Sequence, residues 1–315
     1  MAIDREIDPF PVPGLRLSLG PVLYHWSREV LFNFYHRIAR TPVDIVYLGE
    51  AVCAKRRALR GPDWIEIAAH LQNAGKQVVL STLALLESES ELSSLRRICG
   101  NEKYMVEAND FAAVQLLSGK GPFVTGPSVN IYNSRTLNFL AERGLKRWVM
   151  PVELSRNTLL GIQSQRPEGV ETEVFVFGRL PLAFSARCFT ARAYNLAKDD
   201  CQFRCQDHCD GLLLSTRESR PFLVLNGTQT QSARTYSLLG RLDELDRLGV
   251  DILRISPQSQ HTAEIIELFN ACRTNEQASA DVSRQAEKFM PIGPCDGYWY
   301  REAGMDCSQP GNAAF

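Results

Sequence analysis

Residues 43–83 have the sequence VDIVYLGEAVCAKRRALRGPDWIEIAAHLQNAGKQVVLSTL. The two apolar runs at 43–49 and 77–83 are rich in Val, Ile and Leu, which is typical of strands buried on both faces of a sheet. Between them, residues 62–75 have a helical pattern that begins near Pro62 and ends at Gly75, two residue types favoured at those positions. The stretch therefore predicts a strand–helix–strand unit with parallel strands.

The same alternation runs through most of the chain. Helical patterns lie between most of the other strand-like runs, which are at 15–20, 104–108, 123–126, 147–153, 173–178, 222–227 and 251–256. Eight or nine such units in one chain favour an α/β fold of the TIM-like (β/α)8 barrel type. The alternative is an open α/β sheet.

Two segments interrupt the alternation. Residues 184–220 are polar, rich in cysteine and too long for an ordinary connection, so we predict a functional insertion there. Residues from about 274 onward contain Gly, Pro and Ser and show little periodicity. The expected organisation is an N-terminal extension over residues 1–14 and a single barrel domain over residues 15–315. That domain carries the cysteine-rich insertion and an irregular C-terminal tail.

Composition and charge narrow the classes of partner. The chain has 315 residues, and its 35 basic and 36 acidic residues give a formal net charge of −1. This balance gives no electrostatic reason to expect nucleic acid or a membrane surface as the main partner. Acids and prolines occupy the N-terminus where a secretory signal would be apolar, and no apolar stretch approaches the ~20 residues of a spanning helix. We therefore expect a cytoplasmic protein without a membrane span.

Nine cysteines in such a chain favour metal or redox chemistry over disulfides. Cys188, Cys201 and Cys205 lie in one short stretch, and Cys53 follows the strand-like run at 43–49. In a barrel, the loops that follow the strands gather at one face, so these four thiols can meet there. Four thiolates suit either zinc or an iron–sulfur cluster.

The spacing of the cysteines favours a cluster. Structural zinc sites usually bring their ligands in closely spaced pairs, and here only Cys201 and Cys205 form such a pair. Cys209 extends the pair to C-x3-C-x3-C and could instead join His208 in a zinc pair, but no second pair accompanies it. We expect no ligand role for Cys99, Cys272 and Cys307.

Two further sets of residues are candidates for the site. Basic residues beside the four cysteines could balance the charge of thiolate-bound iron, although each could equally belong to a solvated loop. They are Lys55, Arg56, Arg57, Arg187, Arg192 and Arg204. Polar residues near the predicted strand ends could line a substrate pocket, or be caps and structural hydrogen-bond partners. They are Glu50, Glu107, Asn130, Glu153, Asn226, Gln229 and Arg254.

Hydrolysis lacks a visible mechanism in this sequence. No Ser–His–Asp spacing, zinc-binding H-E-x-x-H helix or phosphate-binding loop is present, so no catalytic residue is assigned.

Several strings along the chain form a recognisable series. They include GPVLYHW (20–26), GEAVCAKRR (49–57), LPLAFSARCFTAR (180–192), KDDC (198–201), NGTQT (226–230), RISPQ (254–258) and CDGYW (295–299). In this order they resemble the UbiV family of the collagenase-like peptidase superfamily, whose motif E-x-F-x-x-G matches residues 173–178. The resemblance covers residues 15 to about 304 and is poor from Arg204 to Arg220.

This resemblance implies a cofactor. The family carries a 4Fe–4S cluster on four cysteines, and the matching positions are Cys53, Cys188, Cys201 and Cys205. They are the same four that the loop positions suggest.

The resemblance also implies partners and a function. UbiV proteins pair with UbiU, a related cluster protein, in the O2-independent hydroxylation of anaerobic ubiquinone biosynthesis. We therefore expect a heterodimer with a UbiU-like protein, and a lipid-carrier protein could deliver the ubiquinone precursor. Two alternatives stay open: a collagenase-like peptidase with a structural metal site, and a non-catalytic scaffold that carries a cluster.

Overall fold

The computed structural model describes residues 14–274, 276–277 and 279–308, and the predicted N-terminal extension lies outside them except for Gly14. In this part of the chain, eight parallel strands pair in sequence order, and the last pairs with both the first and the seventh, which closes a barrel. The predicted TIM-like (β/α)8 barrel is thereby confirmed. The barrel strands are β1 (Arg16–Leu19), β2 (Ile45–Leu48), β3 (Gln77–Ser81), β4 (Met105–Ala108), β5 (Phe123–Thr125), β6 (Leu145–Val149), β7 (Glu171–Gly178) and β13 (Ile252–Ile255).

Helices follow the strands around the barrel. Five of them begin after a Ser, Asp or Asn whose side chain accepts a hydrogen bond from the first helical turn, as at Ser27 and Asp110. The helices are α1 (Arg28–Ile38), α2 (Gly61–Asn73), α3 (Glu89–Cys99), α4 (Phe111–Leu117), α5 (Ser134–Ala141), α6 (Arg156–Gln163), α7 (Phe189–Ala193), α8 (Leu242–Arg247), α9 (Thr262–Arg273) and α10 (Ser279–Ala286). Among the described residues, no helix is long and apolar enough to cross a membrane.

A second, antiparallel sheet is inserted between β7 and α8. Its strands run in the order β8-β11-β10-β9. They are β8 (Pro181–Phe184), β9 (Leu212–Ser215), β10 (Pro221–Asn226) and β11 (Gln229–Ser232). Between β8 and β9, the chain forms α7 and a short 3-10 helix at Arg204–Asp207. Two short strands, β12 (Thr235–Ser237) and β14 (Pro294–Cys295), extend the edge of β7.

The run at 222–227 differs from the expectation of a barrel strand. It forms β10, which pairs antiparallel with β11. A two-residue turn at Gly227 and Thr228 joins the strands, and Gly227 has a φ of 65°, which glycine adopts without strain. A two-residue loop with Gly at its first position is a favoured hairpin turn, and that local turn decides the pairing here.

Two apolar layers hold the barrel together. The larger one packs the outer faces of the strands against the helices, while a small separate cluster that includes Tyr47, Val79 and Val149 lies on the other face of the strands. The period-2 alternation of strand side chains separates these layers.

Charged residues fill the rest of the barrel. Glu173 on β7 accepts hydrogen bonds from Ser18 Oγ at 2.6 Å, Tyr47 OH at 2.5 Å and Arg254 Nε at 2.6 Å. Burial would raise the pKa of Glu173, but the guanidinium groups of Arg254 and Arg147 hold it below its ordinary value. We call the interior network the set Ser18, Tyr47, Glu107, Arg147, Glu173 and Arg254.

The E-x-F-x-x-G motif thus has a structural meaning. Its glutamate, Glu173, is the centre of the interior network. Its glycine, Gly178, has a φ of 129°, and a Cβ there would lie 2.5 Å from the Cβ of Ser256. A side chain at Gly178 would therefore disturb the point where the chain leaves the barrel for the inserted sheet.

Candidate metal centre and barrel cavity

The four cysteines singled out in the sequence line one small cavity. Cys53, Cys188, Cys201 and Cys205 are joined there by Lys55, Arg56, Thr190, Ala191, Phe203, Arg204 and Gly227. We call this the cysteine cavity; its volume is about 20 Å³. The first thiol comes from the loop after β2 and the other three from the inserted segment, so the barrel and the insertion build the site together.

Glu50 holds the loop that carries Cys53. Its Oε1 accepts hydrogen bonds from the backbone N–H groups of Val52 at 2.9 Å and Cys53 at 3.0 Å. Burial raises the pKa of Glu50, while Arg56 and these N–H groups oppose the rise. This candidate pocket residue therefore acts as a local cap that fixes the backbone of Cys53.

Cys188 occupies the position before α7. Its Sγ accepts a hydrogen bond from the N–H of Ala191 at 3.4 Å. The hairpin turn at Gly227 lies against the same helix, since Gly227 O accepts from Phe189 N at 2.7 Å and Gly227 N donates to Thr190 Oγ1 at 2.9 Å. The turn between β10 and β11 thus anchors the segment that presents Cys188.

Arg56 is the buried cation beside the thiols, with 6% of its surface exposed. Its Nη1 donates to Leu23 O at 2.6 Å and its Nη2 to Asn226 Oδ1 at 2.7 Å. Its Nε has no hydrogen-bond partner among the described residues. A buried donor without a partner is costly, so this N–H is available to an acceptor in the cysteine cavity.

Burial and mutual repulsion act on the thiols. Burial raises the pKa of Cys53 and of Cys205, and a neighbouring Cys188 thiolate adds to both shifts, whereas Arg56 lowers them. Ionising several of these thiols together therefore needs a compensating positive charge, such as a metal centre.

The basic candidates separate into two groups. Lys55 donates to Asp199 Oδ1 at 2.7 Å and to Lys198 O at 2.9 Å, which ties the β2 loop to the insertion just before Cys201. Arg204 also lines the cysteine cavity. The remaining candidates, Arg57, Arg187 and Arg192, are exposed.

The other cysteines lie elsewhere. Cys209 is exposed, and its backbone carbonyl accepts from Trp26 Nε1 at 2.7 Å. Cys99 and Cys272 are buried on helices α3 and α9, and Cys295 is buried while Cys307 is exposed. Across the described ranges, no three His, Cys, Asp or Glu side chains are arranged to hold a single metal ion. The ligand roles of the four cavity cysteines therefore stay predictions.

His25 is a neighbour of the thiols that the sequence reasoning missed. Its Nδ1 lies 3.3 Å from Cys205 Sγ, and its Nε2 lies 3.2 Å from Gln206 Nε2. Burial and the charge of Arg56 lower the pKa of His25 to about 4, so the ring is neutral near pH 7. A scattered histidine far from Cys205 in sequence gives no spacing signal, and only the fold brings the two together.

A second and larger cavity opens at the carboxyl ends of the barrel strands. Its volume is about 210 Å³, and five of the seven polar candidates from the sequence line it. They are Glu107, Asn130, Glu153, Gln229 and Arg254. The other two candidates, Glu50 and Asn226, contact Arg56 instead. We call this second space the barrel cavity.

One apolar layer separates the two cavities. Leu23, Ala51 and Phe184 line the barrel cavity. The same three residues pack in a cluster with Val52 and with Cys53, which lines the cysteine cavity. The two sites are therefore adjacent, with an apolar wall between them.

The chain matches peptidase family U32 over residues 32–303. It belongs to this family. The match confirms the resemblance to collagenase-like peptidases at the level of the family. A solved member, the U32 peptidase Mk0906, is 12% identical with a TM-score of 0.44, over 78% of this chain and 94% of that one.

Two curated relatives match a smaller part of this U32 protein. It is 35% identical over 80 residues to tRNA hydroxylation protein P of Haemophilus influenzae and 33% identical over 88 residues to that of Escherichia coli. The matches cover 25% and 28% of this chain. They cover only 17% and 19% of those relatives.

Proposed function

We propose that this U32 protein is the iron–sulfur subunit of an O2-independent hydroxylase in anaerobic ubiquinone biosynthesis. The observation that carries the proposal is that Cys53, Cys188, Cys201 and Cys205 line one cavity. They are the same four positions that match the ligands of the UbiV family. The names of the two curated relatives, which refer to tRNA hydroxylation, support a hydroxylation-related role.

The residues around the cysteine cavity fit a 4Fe–4S cluster. Four thiols are the usual donor set, and a cluster binds one thiolate per iron, so its ligands stand farther apart than those of one ion. The partnerless Nε of Arg56 can donate to a cluster sulfur, which is a common way to tune such centres. Because the cavity is narrow, loading would widen it.

The chain's own residues then position and shield the site. A bound 4Fe–4S cluster supplies one-electron transfer. Glu50 fixes the backbone at Cys53, and Lys55 holds the β2 loop to the insertion. The apolar side chains of Leu23, Ala51 and Phe184 lie between the cysteine cavity and the barrel cavity.

Metal analysis of anaerobically purified protein tests the cofactor. We expect a brown protein with broad visible absorbance and about four irons and four sulfides per chain, as the cluster requires. A colourless protein that contains zinc would contradict the proposal and favour the peptidase with a structural metal.

Deleting the gene tests the function. Ubiquinone made under anoxia should disappear, while ubiquinone made in air should persist because O2-dependent hydroxylases act there. A gene encoding Cys53→Ala should fail to restore anoxic ubiquinone, whereas Cys99→Ala should restore it. Normal anoxic ubiquinone in the deletion strain would contradict the proposal.

The inserted sheet offers a surface for the proposed UbiU-like partner. Leu213 and Leu214 on the edge strand β9 are 43% and 42% exposed, and Phe222 on β10 is 42% exposed. Exposed apolar side chains on an edge strand are typical of protein contacts. Leu214→Lys should reduce co-purification of a tagged UbiU-like partner, whereas Leu160→Lys on exposed α6 should not. Unchanged co-purification with Leu214→Lys would place the contact elsewhere.

A further inference from the structure

Two residues that line the barrel cavity each have a buried donor without a partner. Within the described residues, Arg254 Nη2 and Gln229 Nε2 have no hydrogen-bond partner. Arg254 is 4% exposed and Gln229 is 0% exposed, and both line the barrel cavity. Because a buried N–H group without a partner is destabilising, two such groups on residues of one cavity point to an acceptor that the protein itself does not supply.

The orientation of the Gln229 amide follows from Arg56. A guanidinium can only donate, so the Asn226 atom that contacts Arg56 Nη2 at 2.7 Å is the carbonyl Oδ1. Asn226 Nδ2 therefore donates to Gln229 Oε1 at 3.3 Å. Gln231 Nε2 also donates to that oxygen at 2.9 Å. The N–H2 group of Gln229 is thus the end without a partner at the barrel cavity.

Arg254 is held by two carboxylates. Its Nε donates to Glu173 at 2.6 Å and its Nη1 to Glu107 at 2.7 Å. The third nitrogen, Nη2, is left over. Because the guanidinium is fixed at two of its three nitrogens, the direction of the remaining N–H groups is set before any ligand binds.

The size of the cavity limits the ligand. An apolar cavity of about 150 Å³ binds benzene, so the 210 Å³ here can hold one six-membered ring with a small substituent. Apolar side chains, including Leu23, Val152, Phe175 and Phe184, line much of the wall. A ring that fills this space buries apolar surface and can point one oxygen at the donors.

The charges at the cavity favour an uncharged oxygen. The positive charge of Arg254 is already paired with Glu107 and Glu173. Glu153 adds a further carboxylate to the lining. A ligand carboxylate would bring another negative charge without a counter-charge, whereas a carbonyl oxygen needs only donors.

We propose that the barrel cavity is a binding site for a neutral, ring-sized ligand whose carbonyl or hydroxyl oxygen accepts hydrogen bonds from Arg254 Nη2 and Gln229 Nε2. The assignment does not rest on the proposed cluster, because none of the four cavity cysteines lines this site. In this assignment, Gln229 and Arg254 determine specificity, and Asn226 is a positioning residue for Gln229.

Titrations by ligand-observed NMR with three probes test the site in the full chain. Cyclohexanone supplies a neutral acceptor, cyclohexanecarboxylate a charged one, and toluene none. We expect cyclohexanone to bind and cyclohexanecarboxylate to bind more weakly. Gln229→Met removes the amide donor with little change in side-chain size, so it should weaken the binding of cyclohexanone about three- to tenfold and leave that of toluene unchanged.

Arg254→Lys is the second variant, since it keeps the charge beside Glu107 and Glu173 but removes the guanidinium donor. It should also weaken the binding of cyclohexanone without changing the binding of toluene. Gln72→Met, at an exposed position on α2, is the matched control for Gln229→Met and should change neither affinity. The assignment would be overturned if cyclohexanone failed to bind or if cyclohexanecarboxylate bound more tightly. It would also be overturned if the two variants left the affinity for cyclohexanone unchanged, or lowered the affinity for toluene by the same factor.

Discussion

The interior network and the cysteine cavity are both polar and largely buried, but they differ in how their groups are paired. In the interior network, Glu173 contacts Ser18, Tyr47 and Arg254, so each charge has a partner of opposite sign or a hydroxyl group. In the cysteine cavity, thiols face other thiols, and burial and Cys188 raise the pKa of Cys53 and Cys205.

This difference separates a network whose charges are paired within the protein from a group of thiols whose ionised forms are not. A network whose charges are paired within the protein holds strands together. A group of thiols that destabilise one another's ionised forms needs a further component to be charged together. The barrel cavity lies between these cases, because Arg254 belongs to the interior network and still has one N–H-bearing nitrogen to spare.

The largest expected effect is the loss of iron in Cys53→Ala. A cluster that lacks one of four thiolates is open to solvent and oxidants, so most of the iron should be lost. Iron and sulfide quantification after anaerobic purification measures it. Cys99→Ala, on α3, is the control and should keep its iron. Full iron content in Cys53→Ala would contradict the proposed ligand role of Cys53, and with it the contrast between the cysteine cavity and the interior network.

Glu173→Gln should cause the next largest effect, on stability rather than on metal. Removing this carboxylate leaves Arg254 with Glu107 and Arg147 with Glu171 as their remaining counter-charges, so the cost should lie below the about 3–5 kcal/mol of a buried charge left without any partner. Chemical denaturation measures the free energy of unfolding. Glu171→Gln is the control, since Glu171 is partly exposed and its loss should cost less. Equal costs would show that burial of the network matters little.

The same network predicts that the free energy of unfolding falls at acid pH. The pKa of Glu173 in the folded protein lies below its ordinary value, despite the opposing effect of burial, because of Arg254 and Arg147. Its contribution is therefore complete above the unfolded pKa of about 4.3 and is lost as the pH falls through the lower folded value. Denaturation between pH 3 and pH 7 should show a shallower acid loss in Glu173→Gln than in the wild type. Parallel profiles would contradict this source of stability.

Glu50→Ala should have a smaller effect, in which a local change in the Cys53 loop lowers the iron content. The variant frees the backbone N–H groups of Val52 and Cys53, so the Cys53 loop should loosen and iron occupancy should fall only in part. Lost hydrogen bonds to a charged group cost about 1.5–3 kcal/mol. Glu50→Gln keeps an acceptor oxygen and should retain more iron. Full occupancy in Glu50→Ala would show that the loop does not need this cap.

The smallest expected effect is that of Cys209→Ala. Cys209 is exposed and lies outside the cysteine cavity, so iron content and colour should not change. If this variant loses iron while Cys205→Ala retains it, the fourth ligand lies four residues away from the position that the resemblance assigns.

The sequence predicted which segments form strands better than it predicted which strands pair with each other. The bounds of β2, β3 and β13 fall inside the apolar runs, because strands buried on both faces need such runs. The run at 222–227 forms a strand as expected, but its pairing with β11 depends on the turn at Gly227. The sequence also did not separate the roles of the polar candidates, since Glu50 fixes the loop that carries Cys53 whereas Glu107 lines the barrel cavity.

By itself, the amino-acid order determined the alternation of strands and helices, and with it a barrel whose loops gather at one face. It also marked Cys53, Cys188, Cys201 and Cys205 through loop position and family resemblance. Only the tertiary structure decided that His25 and Arg56 surround these thiols, that Glu173 is the centre of a buried ion network, and that Arg254 and Gln229 keep unpaired donors at one cavity. The physical reason is that periodicity records which face of an element is buried, whereas hydrogen-bond partners from distant segments are set by how the elements pack.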